Sequence, residues 1–214
     1  MDLFSDAPSR DPRASAYLLA AYIDEFPAGN VFLSVVDPGV GSERASLAVW
    51  VDRRWYVGPD NGLFELILRR ALTPPRIWEI AWRPDRLSPT FHGRDLFAPV
   101  AARLARGETA PVTERTSGEG RKPDWPDDLP QIVYIDGFGN AMTGIRAPRL
   151  GYDTELEVDG LSLKWAENYS RVPPNSPFWY ENANGLAEIA VNMENASEIM
   201  GLRVGSEVAI GGVE

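Results

Sequence analysis

An apolar run, Val31 to Val36, breaks off at Asp37-Pro38-Gly39-Val40-Gly41-Ser42-Glu43-Arg44. The run predicts a buried strand over 31–36, and the proline and glycines forbid its continuation. A charge at the carboxyl end of a buried strand, followed by a Gly-rich turn, stands where α/β folds hold ligands. Asp37 and Arg44 lie seven residues apart across the turn, so carboxylate and guanidinium can face one another. Taken alone, the stretch reads first as a structural Asp-Pro turn with a surface arginine. What changes that reading lies further along the chain.

Composition narrows the choices. A length of 214 residues suits one large domain or two small ones. The formal net charge of −10 argues against nucleic acid and against anionic membranes as partners. There is no cysteine and a single histidine, His92, which excludes disulfides, thiolate–metal sites and multi-histidine zinc sites. No apolar stretch approaches the ~20 residues that span a bilayer. The N-terminus lacks the basic and apolar regions of a signal peptide, so a cytoplasmic location is expected.

In chain order, Ser15 to Phe26 carries apolar residues at helical spacing, and Pro27 ends it. Ser46–Val51 and Trp55–Val57 read as a hairpin about Asp52-Arg53. Leu63 to Leu72 is an expected helix, Arg76 to Ala81 an expected strand, and a further helix runs to Arg106, where Gly107 caps it. The segment 111–130 is rich in proline, glycine and charge and reads as a linker. Beyond it come expected strands at 132–135, 154–158, 161–165, 186–191 and 207–210, with Asp159-Gly160 a strong hairpin signal. The chain is therefore expected to be α/β. A Rossmann-like N-terminal α/β domain (1–110) is followed by the linker and an antiparallel β-barrel-like domain (131–214).

Four polar turns each follow an apolar segment: Asp37-Pro-Gly-Val-Gly, Pro59-Asp-Asn-Gly, Phe91-His-Gly-Arg-Asp and Asp136-Gly-Phe-Gly-Asn. Each is weak alone, since Gly-rich turns are commonly only turns and a lone histidine beside phenylalanine is commonly a satisfied core residue. The order and spacing of the set are more specific. With Glu188-Ile-Ala-Val-Asn192 added, the chain resembles the SAM hydroxide adenosyltransferases, adenosine-forming SAM hydrolases related to fluorinase and chlorinase. The resemblance runs from about Asp2 to Val213.

The resemblance implies S-adenosylmethionine as substrate, no resident cofactor, and adenosine and methionine as products of attack by water on the ribose C5′. It implies Asp37, Arg44 and His92 as the catalytic set, with Asp37 or His92 taking the proton as the C–O bond forms. It implies substrate contacts from Val40, Phe91, Gly93, Asp136, Phe138, Asn140, Phe178, Trp179 and Asn182, and a homotrimer with sites between subunits. The halogenating relatives tend to carry tyrosine at the Asp37 and His92 positions, and the fluorinase carries serine at Gly93, so water is the expected nucleophile over halide. There are three departures. The Thr-Asp-Phe-Gly-x-x-Asp motif that opens family members, with its ribose-clamping aspartate, is absent, which implies either a shortened start or an impaired protein that binds adenosyl groups without turnover. Thr143-Gly144 stands where the family reads Thr-Asn, and Asn182-Ala183-Asn184-Gly185 where it reads Asn-Ser-x-Gly.

Overall fold

The computed structural model describes residues 1–110, 112–115 and 120–211. The chain divides into two compact units, one of Met1–Ala16 with Ile23–Asp124 and one of Tyr17–Tyr22 with Trp125–Glu214. Helix α1, Pro12–Tyr22, spans the division. Asp11 starts it by accepting a hydrogen bond from the Ala14 N–H at 2.9 Å, and Pro12 sits where a helix needs no donor. The expected helix to Phe26 instead tightens into a 3₁₀ turn at Ile23–Glu25.

The first unit is built on one five-stranded sheet. Its strands are β1 (Val31–Leu33), β2 (Ser46–Val51), β3 (Arg54–Pro59), β4 (Arg76–Ile80) and β5 (Val112–Arg115), in the order β1-β3-β2-β4-β5. Only β1 and β3 run parallel. Asp52 and Arg53 take φ values of 47° and 65°, the left-handed pair that a two-residue hairpin turn requires. The strand expected over 31–36 is shorter. Its ladder makes one bond past Leu33, from the Ser34 N–H to the Val57 carbonyl at 3.0 Å, and the chain then leaves the sheet. A second correction concerns the linker. Val112–Arg115 is an edge strand paired with β4 from Ile80↔Val112 to Ile77↔Arg115. With Val112 its single apolar residue, it offers no alternation to read. Pro111 and 116–119 of that linker lie outside the described residues.

Helix α2 (Glu65–Arg69) is shorter than the 63–72 pattern suggested. Residues Gly93–Phe97 form one turn of π-helix, which continues as α3 (Ala98–Ala105). Leu96, Phe97 and Val100 from this segment pack with Ala48, Val57 and Ile80 of the sheet to make the core. That packing fixes the start of the π turn, where His92 sits.

The second unit contains β6 (Leu129–Ile135), β7 (Ala141–Arg146), β8 (Leu156–Val158), β9 (Leu161–Leu163), β10 (Pro177–Glu181), β11 (Leu186–Val191), the short helix α4 (Ala196–Ile199) and β12 (Ala209–Ile210). They form two antiparallel sheets, ordered β10-β11-β7-β6 and β12-β8-β9. Among the described residues the sheets do not close into a barrel. They share a core that includes Ile132, Ile145, Leu156, Leu163, Trp179 and Ile189. No described helix is long and apolar enough to cross a membrane.

Candidate active site

Beyond Ser34 the chain turns away from the sheet edge and delivers Asp37. The Asn61 side-chain amide, from the Pro59-Asp-Asn-Gly turn, donates to the Val36 carbonyl at 2.9 Å and pins the residue before it. Gly41 closes the Asp37 turn with φ +81°, and a Cβ there would lie 2.6 Å from the Pro89 carbonyl oxygen. Only glycine allows this approach of the Asp37 turn to the segment that leads into His92.

Arg44 returns across the turn and grips Asp37 as a fork. Its Nε donates to Oδ1 at 2.7 Å and its Nη2 to Oδ2. Both side chains are nearly buried, with 5% of Asp37 and 11% of Arg44 exposed. Nη1 of Arg44 is held by the Ala45 carbonyl at 2.8 Å, and the guanidinium lies 5.3 Å from the centre of the Phe97 ring. The fork is therefore fixed from several sides.

His92 completes the cluster, its Nδ1 lying 3.4 Å from Nη2 of Arg44. A guanidinium has no lone pair, so Nδ1 must be the acceptor, and the proton of the neutral ring sits on Nε2. Burial and then the Arg44 charge hold the imidazole below its ordinary pKa, against the opposing pull of Asp37. At neutral pH the ring is accordingly neutral. Arg94 plays no part in this cluster. It pairs with Asp95 at 2.6 Å and lies over the Phe91 ring at 4.9 Å. Phe91 is 56% exposed, Val40 is half-buried on the turn, and Gly93 leaves room for Val35, whose Cγ1 would be 3.4 Å from an added Cβ.

In the second unit an open groove of about 660 Å³ is lined by Asp136, Phe138, Asn140, Tyr169 and Tyr180, with the 191–195 segment along one side. Asp136 follows β6 and organises its own turn, accepting from the Phe138 and Asn140 N–H groups, each at 2.9 Å, and from the Asn140 amide at 3.1 Å. Phe138, at the tip, is 82% exposed. Three residues expected to contact substrate do not line this groove. Trp179 is in the core, with its indole N–H donated to the Thr154 carbonyl at 2.9 Å. Phe178 lies buried beneath Tyr169 and Tyr180, at 5.2 and 5.7 Å between ring centres. Asn182 is buried and occupied within its own turn and with Glu188. Consecutive strand residues point to opposite faces. Both faces of β10 are covered, so both aromatics are buried.

The models of the SAM hydroxide adenosyltransferase N-terminal and C-terminal domains match residues 1–114 and 130–209. The chain belongs to the SAM hydroxide adenosyltransferase family. Its similarity to the (R)-S-adenosyl-L-methionine hydrolase of Thermus thermophilus is 39% identity, covering 98% of this chain and 87% of that one. A protein of the same name from Salinispora arenicola is 32% identical over 98% of this chain and 85% of its own length. A fluorinase from Nocardia brasiliensis is more distant, at 24% identity over 62% of the chain. Among solved structures, an uncharacterized conserved protein from Thermotoga maritima superposes with a TM-score of 0.86 at 27% identity, covering 98% of this chain and 88% of that one.

In this SAM hydroxide adenosyltransferase family member, sequence reasoning missed the groove wall. Tyr169 and Tyr180 come from separate segments and face each other, hydroxyl to hydroxyl, at 3.4 Å. Neither belongs to a local motif. The one available signal was Glu188, a charged residue in the otherwise apolar run 186–191.

Proposed function

We infer that this protein hydrolyses S-adenosylmethionine, water displacing methionine from the ribose C5′ to leave adenosine. The observation that carries the reading is the convergence of Asp37, Arg44 and His92 in a chain whose nearly full-length relatives are named for that hydrolysis. Those names specify the (R) form, and we extend that preference for sulfonium configuration to this chain.

The leaving group is a neutral thioether, so it needs neither protonation nor a Lewis acid, and the reading requires no resident cofactor. The nucleophile is the difficulty. Moving a proton from bulk water to a carboxylate before attack costs about 16 kcal/mol. The proton therefore leaves late, as the C–O bond forms. Asp37 is the better acceptor for it. His92 has Nδ1 engaged by Arg44 and a proton on Nε2, so it offers a donor, whereas each Asp37 oxygen keeps a lone pair beyond the Arg44 fork. Arg44 orients the carboxylate. Charge balances: sulfonium cation and carboxylate anion disappear together, and Asp37 then releases its proton to solvent. A site shielded from water favours such a step.

The residues Val40, Phe91 and Gly93 beside the Asp37 cluster, and Asp136, Phe138 and Asn140 in the groove, are the substrate contacts in this reading. The working assembly is a homotrimer, each site drawing on two subunits, located in the cytoplasm. Sedimentation showing only monomer at micromolar concentration would remove the assembly from the account. The activity itself is tested by incubating the protein with the separate (R) and (S) epimers and following adenosine and methionine by chromatography. Faster release from (R) is expected. No adenosine from either epimer, with adenosine still bound, would instead favour a binding protein.

A further inference from the structure

Glu188 is a buried acid that the hydrolysis does not use. It lies on β11 directly across from Tyr180 on β10, with only 2% of its surface exposed. A carboxyl group in that position is costly unless it has polar partners. The Asn182 amide donates to Oε2 at 2.7 Å, and Tyr180, directly opposite on β10, stands on the same face of the sheet.

Each of these partners leads on. Asn182 uses its own Oδ1 to accept from the Asn184 N–H at 2.9 Å and the Leu186 N–H at 3.0 Å, which fixes the turn between β10 and β11. The Tyr180 hydroxyl accepts from that of Tyr169 at 3.4 Å, and Tyr169 lines the groove together with Asn140. Asn140 reaches Asp136. One polar cluster thus comprises Asp136, Asn140, Tyr169, Tyr180, Glu188 and Asn182. Its first four members line the groove, and its last two are buried behind it. Phe178 backs the two tyrosine rings.

Such a cluster has a direction. Asn140 and Asp136 are already ordered by their own turn, so that end needs no help. The two tyrosine hydroxyls have each other, and at the buried end stands Glu188, directly across the strand pair from Tyr180 and 2% exposed. Burial, opposed by Asn182 and Tyr180 and reinforced by the Asp136 charge, raises the Glu188 pKa. The position therefore carries a cost that a purely structural apolar residue would avoid.

We propose that Glu188 is a positioning residue for substrate binding, holding Tyr180, and through it Tyr169, in the groove conformation that receives S-adenosylmethionine. This rests on the hydrolase reading given above. Glu188 touches no reacting atom in the proposal, so its loss affects binding more than chemistry.

The test compares the parent with Glu188→Met, Glu188→Gln, Tyr180→Phe and the Glu188→Met/Tyr180→Phe double variant. Steady-state hydrolysis of S-adenosylmethionine gives kcat and KM, and calorimetric titration with adenosine gives Kd. Glu188→Met is expected to raise KM and Kd about tenfold with kcat within about twofold. Glu188→Gln, which still accepts from Asn182, should recover most of that loss. Tyr180→Phe should resemble Glu188→Met, and the double variant should be no worse than either single change, because both break the same cluster. KM and Kd within twofold of the parent in both single variants would overturn the proposal, as would a fall in kcat at unchanged KM. If Glu188→Met fails to fold, Tyr180→Phe alone decides by the same criteria. A parent that binds adenosine but releases none from the substrate would count against the hydrolase reading, and the adenosine titrations would still decide the role of Glu188.

Discussion

Arg44 holds Asp37 by both carboxylate oxygens, Nε on Oδ1 at 2.7 Å and Nη2 on Oδ2, while the same Nη2 faces His92 Nδ1 at 3.4 Å. One guanidinium therefore sets the direction of the carboxylate and the tautomer of the imidazole. Lysine has the charge but no planar fork, so Arg44→Lys is not conservative here. We expect it to lower kcat/KM on the order of 10²-fold, the usual cost of misplacing a reacting group by an ångström or so. Steady-state assays of Arg44→Lys measure this, and a loss under threefold would separate Arg44 from the chemistry.

Gly41 joins the Asp37 turn to the approach to His92. Alanine there must adopt φ +81° and place its Cβ 2.6 Å from the Pro89 carbonyl oxygen. Gly41→Ala should cost about 1–3 kcal/mol in stability. It should also lower kcat, because relief of the clash separates the two loops. Denaturant midpoints and kinetics on the same samples check both effects.

His92 is the single histidine, so its imidazole can be followed by NMR without assignment ambiguity. Its pKa should lie below the ordinary 6.5, for burial and the Arg44 charge both oppose protonation, and the neutral ring should carry its proton on Nε2. The folded value is depressed, so the unfolded chain binds the proton first as pH falls. Stability is therefore whole above pH 6.5 and declines as pH drops from there through the folded value. His92→Gln should flatten that part of the pH profile, visible as a smaller difference between denaturation midpoints at about pH 7.5 and 5.5.

Glu65 on α2 has a fully buried side chain, with Arg121 Nε on Oε2 at 2.6 Å, the Lys122 N–H on the same oxygen at 2.9 Å and Arg69 on Oε1 at 3.1 Å. Burial alone would raise its pKa, but these donors together bring it below the ordinary 4.5. Its contribution to stability is thus present above pH 4.5 and lost as pH falls through the lower folded value. Glu65→Gln should destabilise the protein at pH 7 and shift acid unfolding little, and urea titrations at pH 7 and pH 4 distinguish this from a pH-independent loss.

Much of the site was legible because its parts are local. Asp37, Gly41 and Arg44 share one turn, and His92 sits in the compact Phe91-His-Gly-Arg-Asp motif that opens the π turn leading into α3. The fold class was legible for a similar reason, since the Asp52-Arg53 and Asp159-Gly160 turns announce their hairpins. Strand β5 was not legible, because four residues with one apolar side chain carry no period and gain their order from pairing with β4. The burial of Phe178 and Trp179 was not legible, because the family resemblance names positions but not the two covered faces of their strand. The Tyr169–Tyr180 wall and the Glu188 buried behind it escaped because three separate segments supply them, and no single stretch records their proximity.

Asp37 is the proton acceptor on which the hydrolysis depends most directly. Asp37→Asn preserves the shape of the side chain but removes the acceptor for the late proton, and kcat for S-adenosylmethionine should fall about 10²–10⁴-fold. Adenosine should still bind within about threefold of the parent affinity, showing that the site is otherwise intact. A folded Asp37→Asn protein that hydrolyses S-adenosylmethionine at the parent rate would contradict the account.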